Sequence, residues 1–116
     1  MLERTNSFDR LTRSFDWDLP QELNMAVQAC EQWADVDPER NAIIDMTDGT
    51  REDVSFGVLD YLADRLAVHL DGLGVGLGDR VAVFRGKSVW TAAAHIAIWK
   101  IGAISIPLFP LFGTEA

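Results

Sequence analysis

Arg80-Val81-Ala82-Val83-Phe84, then Ser88-Val89-Trp90-Thr91-Ala92-Ala93-Ala94-His95-Ile96-Ala97-Ile98-Trp99-Lys100-Ile101, then Gly102, then Ala103-Ile104-Ser105-Ile106-Pro107 decide the fold. The outer two segments are short, continuously apolar runs, the pattern of parallel strands covered on both faces. The middle segment is apolar nearly all round, so it reads as a helix with partners on more than one side. Gly102 stops that helix. Strand, helix and strand within about thirty residues make a βαβ unit with a right-handed crossover.

Upstream of this unit, Leu59, Leu62, Ala63, Leu66, Ala67 and Leu70 recur at three- and four-residue spacing, which predicts an amphipathic helix capped by the Ser55 hydroxyl. Asp60, Asp64, Arg65, His69 and Asp71 fall off the stripe and read as a solvated face, and His69 has no partner at metal-ligand spacing. Gly72-Leu73-Gly74-Val75-Gly76-Leu77-Gly78-Asp79 lacks the glycine spacing of a dinucleotide loop and follows a helix rather than a strand. It reads as a helix C-cap turning into the sheet. Gly86-Lys87-Ser88 mimics the end of a P-loop, but position 81, where the first glycine would stand, is Val.

Ala42 to Met46 predicts a short strand, Asp48-Gly49 a hairpin turn, and Thr50 to Val54 the returning strand at a sheet edge. Residues 21–33 carry Leu23, Ala26, Val27, Cys30 and Trp33 on one helical face, with Pro20 suited to the first turn. Cys30 on that face reads as a small core residue. Residues 1–19 form an N-terminal arm. There Phe8, Leu11 and Phe15 permit a turn or two of amphipathic helix, and Trp17 and Leu19 act as anchors. The expected organisation is this arm followed by one α/β subdomain over residues 20–116.

Composition narrows the function classes. The net charge is −8 and the two lysines, Lys87 and Lys100, stand apart. Nucleic-acid binding needs clustered cations to displace counterions, so it is disfavoured. A single cysteine excludes an intrachain disulfide. The first twenty residues lack an apolar signal-peptide core, so a cytoplasmic location is expected. Residues 92–112 are apolar over the length of a membrane span. Lys100 near the middle, and Pro107 and Pro110, argue for a buried helix and strand and against a membrane span. His95 reads as packed against a neighbour.

The ordered set of Gly78-Asp79-Arg80-Val81-Ala82-Val83, a Trp/Ala-rich helix, Lys100-Ile101-Gly102-Ala103 and Ile106-Pro107-Leu108-Phe109 resembles the N-terminus of the adenylate-forming (AMP-binding) superfamily, in its AMP-forming acyl-CoA synthetase branch. Phe15-Asp16-Trp17-Asp18-Leu19-Pro20 with Leu23-Asn24-Met25 is similar to the entry segment of acetyl- and medium-chain-type synthetases. The resemblance covers roughly residues 15 to 116 and implies an incomplete N-terminal lobe of that α/β fold, containing a β-hairpin and a βαβ unit of a doubly wound sheet. It implies that a carboxylate reacts with ATP to give an acyl-adenylate, whose acyl group passes to coenzyme A.

ATP, Mg²⁺ and coenzyme A are therefore implied for the full-length enzyme, with none bound by this stretch. The family's phosphate loop and catalytic lysine lie further along than Ala116, so no catalytic or metal-ligating residue is assigned. The resemblance places Phe109, Leu111, Phe112 and Gly113 as candidate lining of the acyl and coenzyme A channel, against the plainer expectation that they pack in a core. The apolar helix and strands also demand cover, so the expected partner is the remainder of the synthetase or a covering partner chain. The other function class is a small non-catalytic module that docks through this apolar edge.

Overall fold

The computed structural model describes residues 6–17, 20–47 and 49–111. Helix α1 (Phe8–Ser14) is capped by the Ser7 hydroxyl, which accepts from Arg10 N. A π-helical turn (Val27–Glu31) leads into α2 (Gln32–Val36), and β1 (Asn41–Asp45) and β2 (Glu52–Ser55) follow. Helix α3 (Phe56–Gly72), β3 (Arg80–Phe84), α4 (Val89–Lys100) and β4 (Ile104–Leu108) complete the order. The fold is α/β, with an antiparallel β1–β2 hairpin and a parallel β3–β4 pair joined through α4.

The βαβ unit forms where the sequence places it. Ala82 pairs with Ile106 and Phe84 with Leu108. Ser88 caps α4 by accepting from Thr91 N at 3.3 Å, and Ser55 caps α3 by accepting from Val58 N at 3.3 Å. Helix α3 ends in the expected glycine cap, with Val75 N donating to Leu70 O and Gly74 at φ +84°.

Helix α4 is the middle layer. One side packs Ala93, Ile96 and Ala97 into a core with Leu59, Ala63 and Ala67 of α3, and with Ala26 and Cys30. The other side sets Ile98 against Val83 and Ala103 of the sheet. This two-sided burial is the reason for an all-round apolar helix. The opposite face of the β3–β4 pair is uncovered among the described residues. Phe84, Ile104, Ile106 and Leu108 are exposed there, so the strands do not meet the cover on both faces that their apolar runs predict. No helix of the described residues is long and apolar enough to cross a membrane. Residues 92–108 of that apolar run are the body of α4, a Gly102 turn and β4, and Phe112 at its end lies outside the described residues.

Three local expectations are corrected. The helix expected over 21–33 begins later, because Asn24 makes the cap by accepting from Ala26 N at 2.8 Å and donating to Lys100 O. Pro20 therefore lies outside the helix. The wider π turn, closed by Gln32 N donating to Val27 O, buries Ala26 and Cys30 while Val27 and Trp33 stay partly exposed. Trp33 instead lies under the Arg40 guanidinium, 4.7 Å from its ring. In the arm, Trp17 is not anchored on the α/β unit among the described residues: it is 72% exposed and packs edge-on against Phe15, ring centroids 4.9 Å apart. Leu19 lies outside the described residues, as does Asp48 of the hairpin turn. Strand β1 runs one residue earlier than the apolar pattern implies, and β2 starts two residues later and ends one later, with a register shift between Asn41 and Ile43.

Gly102 closes the turn from α4 into β4 at φ +72°, and a Cβ there would stand 2.8 Å from Leu77 Cδ1. Its carbonyl accepts from Gly78 N, joining both loops that enter the sheet. Gly102→Ala is expected to cost about 1–2 kcal/mol through the left-handed backbone alone. Adding Leu77→Ala should remove the contact without restoring that loss. Urea unfolding of both variants checks this, and full recovery in the double variant would mean that the contact, not the backbone, was limiting.

Candidate functional site

Parallel strands place their carboxyl ends on one side, and loops there are the usual seat of ligands in α/β folds. Here β3 runs out into Arg85-Gly86-Lys87-Ser88 and the N-terminus of α4, while β4 runs out into Phe109-Pro110-Leu111. The first loop is fastened to its helix. The Thr91 hydroxyl donates to Gly86 O at 2.6 Å, and Ser88 Oγ accepts from Arg85 Nε at 3.2 Å.

A hollow of about 580 Å³ lies between these loops, walled by Val83, Arg85, Gly86 and Lys87 on one side and by residues 107–111 on the other. A second hollow of about 580 Å³ opens between residues 43–47 of the hairpin and the first turns of α4. Lys87, Thr91 and His95 border both. His95 is packed as the sequence implies: its Nδ1 is hydrogen-bonded to Ser105 Oγ, and its ring stacks on Trp99 with centroids 6.0 Å apart.

Of the four candidate channel residues, Phe109 and Leu111 lie on the wall of the first hollow and are exposed. Phe112 and Gly113 lie outside the described residues. Phe109 and Leu111 are thus brought together with Arg85, Lys87 and His95, a grouping not apparent from spacing alone.

A second cluster was hidden in the sequence. Lys100, at the end of α4, is 10% exposed, and its Nζ lies 2.6 Å from Glu31 Oε1, 2.9 Å from Asp60 Oδ1 and 2.6 Å from Asp64 Oδ1. Asp60 and Asp64 therefore do not belong to a merely solvated face. They sit one helical turn apart and converge, with Glu31 of the π turn, on one ammonium. Asp60 Oδ1 is enclosed, and the Lys100 ammonium 2.9 Å away is its counter-charge. Burial works against the charged lysine, yet the three carboxylates outweigh it and hold its pKa above the ordinary value. Because the folded pKa is raised, this contribution to stability is complete at neutral pH and is lost only as pH climbs through the raised value.

The three carboxylates are close enough together to ligate a metal ion, but the ammonium occupies the position between them. Beside them, the Cys30 thiol is pushed up to about 11, first by burial and then by the Asp60 carboxylate. It stays protonated at neutral pH and serves as a core group rather than a nucleophile.

The described residues thus form an α/β unit with an open cleft at its strand ends. The chain belongs to the AMP-binding enzyme family, whose pattern it matches over residues 30–116. It is 36% identical over 96 residues to the nonribosomal peptide synthetase nlsA of Emericella nidulans, covering 82% of this chain and 2% of that protein. It is 34% identical over 110 residues to the human mitochondrial acetyl-coenzyme A synthetase 2-like protein, covering 93% of this chain and 16% of the relative. The crystal structure of CmiS6 superposes with a TM-score of 0.71 at 27% identity, over 87% of this chain and 25% of that one. That of IdnL1 gives 0.64 at 29% identity, over 71% and 17%. The chain thus spans a small part of the length of these relatives.

Removing the buried cation tests the cluster. Lys100→Met leaves Glu31, Asp60 and Asp64 facing one another and is expected to cost about 3 kcal/mol, the low end for a broken buried pair because Asp64 is well exposed. Adding Asp60→Asn should recover part of that loss, whereas Asp64→Asn in the wild-type background should cost under about 1 kcal/mol. A thermal or urea unfolding series reads all three. A Lys100→Met protein of unchanged stability would remove the cluster from the list of fold determinants.

Proposed function

We propose that the chain is the opening part of an ATP-dependent, AMP-forming acyl-CoA synthetase, in which it supplies scaffold and one wall of the substrate channel. The observation that carries this reading is the reach of the likeness to the acetyl-coenzyme A synthetase relative, which extends over 93% of the chain and so takes in most of the N-terminal arm. In such an enzyme the carboxylate oxygen attacks the α-phosphorus of ATP and pyrophosphate leaves. The thiol of coenzyme A then attacks the acyl carbon and AMP leaves.

Charge building on the α-phosphoryl group calls for a metal ion, backbone donors and a cation gathered at one point. The described residues do not fit that demand, since their one group of converging carboxylates is filled by Lys100. ATP, Mg²⁺ and coenzyme A are accordingly assigned to the full-length enzyme, and no chemical step is assigned to these residues. Under this reading the uncovered face of β3 and β4 is where the remainder of the synthetase packs. Phe109, Leu111, Phe112 and Gly113 line the channel beyond the strand ends.

A second reading has its own support. Nonribosomal peptide synthetases 5 and 4 of Gibberella zeae are 47% and 48% identical over 58 and 56 residues, higher values over about half of the chain. In that case the acid activated is a peptide building block, and the chain is the opening part of an adenylating unit. A third possibility is a non-catalytic module docking through Phe84, Ile104, Ile106 and Leu108, which predicts no turnover at all.

Assay of the full-length protein separates these. Carboxylate-dependent ATP–pyrophosphate exchange together with carboxylate-dependent loss of free coenzyme A thiol is the expected result. Exchange driven by amino acids, with the thiol untouched, supports the second reading, and no exchange with either class of acid leaves the docking module. In the active full-length enzyme, Phe109→Ala should change relative kcat/KM across straight-chain acids by about tenfold, the scale set by filling or emptying an apolar pocket. Lower stability with an unchanged order of substrates would return Phe109 to a packing role.

A further inference from the structure

We propose that the outer face of α3 is a self-association surface, on which a second copy of this chain lays its own α3 antiparallel about a twofold axis between Asp64 and Arg65. The inference stands apart from which acid the full-length enzyme activates, since it uses none of the residues at the strand ends.

The sequence of α3 carries two seams. Leu59, Ala63 and Ala67 face the core shared with α4 and are buried. On the opposite side Val58, Tyr61, Arg65, Val68 and Gly72 recur at alternating three- and four-residue steps, the spacing of a helix–helix seam. Tyr61 is 57% and Val68 73% exposed, and Leu73 just past the helix is exposed as well. A helix with apolar residues on a second face expects a second partner. The order of layers separates this partner from the one that the strands need. Helix α4 lies between α3 and the sheet, so cover for the bare face of β3 and β4 arrives on the other side of the unit.

Charge selects the occupant and its direction. An open hollow of about 820 Å³ lies on this face of α3, bordered by Tyr61, Asp64, Arg65, Val68, His69 and Leu73. Arg65 donates to the Tyr61 hydroxyl at 3.0 Å and pairs with no carboxylate among the described residues. Asp64 gives Oδ1 to Lys100 and is well exposed, so Oδ2 remains for a second cation. An acid and a base adjacent in sequence are complementary to the same two residues reversed. With the axis between them, Asp64 faces the partner's Arg65 and Arg65 faces the partner's Asp64. Tyr61 then packs on the partner's Val68 in both halves of the contact, and Val58 comes to the partner's Gly72, where no side chain intervenes. A parallel pair in register would instead set like charges together and align the two helix dipoles. An isologous contact of this kind is self-complementary and stops at a dimer. A face one helix wide is at the small end of specific interfaces, so a dissociation constant of about 10 µM is expected.

Sedimentation velocity of the full-length wild type, at concentrations spanning that value, should show dimer growing with concentration. Val68→Glu, which sets a carboxylate on the partner's Tyr61, should weaken association by more than about tenfold. Arg65→Asp should weaken it by about tenfold in low salt and by less in high salt, because the pair it replaces lies at the surface. Cross-linking reads the register. Mixing Tyr61→Cys protein with Val68→Cys protein under mild oxidation should give a disulfide-linked dimer faster than either protein alone, and Cys30 does not compete because it is buried. All of the substituted positions are exposed, and unchanged unfolding midpoints separate lost association from lost folding. A wild type that stays monomeric at about ten times the expected dissociation constant overturns the proposal. So does a dimer that keeps its affinity in Val68→Glu, or one whose mixed cysteine proteins link no faster than the single ones, because its contact then lies elsewhere.

Discussion

One ammonium holds the helical half of this protein together. Lys100 reaches from the end of α4 to Glu31 in the π turn and to Asp60 and Asp64 on α3, so three helical segments share a single cation at distances of 2.6–2.9 Å. Burying one charge without partners is far more costly than any packing gain nearby, which makes wrong placements of α4 expensive. Sliding or rotating α4 by one residue would strand the lysine in the apolar layer and leave the carboxylates repelling one another. Apolar contacts between α3 and α4 are non-directional; the ion cluster adds direction. Asn24 strengthens the same junction, since its amide caps the helical segment and donates to the Lys100 carbonyl.

With that end fixed, the remaining packing follows from size. Ala63 and Ala67 of α3 meet a layer that includes Ala93 and Ala97 of α4, and small residues leave little side-chain bulk between the two helices. Ile98, on the other side, takes up the space between α4 and the strands. The turn that follows has no freedom to drift. Ala103 N donates to Ile98 O, Gly102 O accepts from Gly78 N, and Ile104 N donates to Asp79 O. Strand register is therefore set by the same few residues that end the helix.

The sequence is informative where structure is local and misleading where it is not. The βαβ order, the Ser55 and Ser88 caps and the glycine-rich end of α3 depend on neighbours a few residues away, so spacing and residue type suffice to read them. Asp60 and Asp64 lie off the apolar stripe of α3, and nothing within α3 distinguishes them from solvated acids. Their partner, Lys100, is far downstream in a segment whose apolarity conceals the lysine's need for a counter-charge. An isolated Lys100 in an apolar run was a signal that such a charge existed, without saying where. The π turn is equally invisible, because a helical wheel at ordinary spacing puts Val27 and Trp33 on the buried face together with Cys30. The cleft shows the same division: Phe109 and Leu111 were readable as candidates, whereas their company with Arg85, Lys87 and His95 exists only after β3 and β4 pair.

The two clusters stand at opposite ends of α4, and this arrangement connects scaffold to site. Twelve residues separate the ends, from Val89 at the cleft to Lys100 at the ion cluster, a span of about 18 Å at the rise of an α-helix. A helix of that length behaves as a stiff rod, so fixing its C-terminal end by charge and its flank by alanine packing also fixes where its N-terminus points. The Arg85–Ser88 loop is bonded to that N-terminus through Thr91 and Ser88. His95, midway along the helix, is tied to β4 through Ser105. The cleft is consequently assembled from parts whose positions were settled elsewhere in the fold. A site built this way needs little reorganisation when it is occupied, and that is the property a binding wall must have if a ligand is to be held in one orientation.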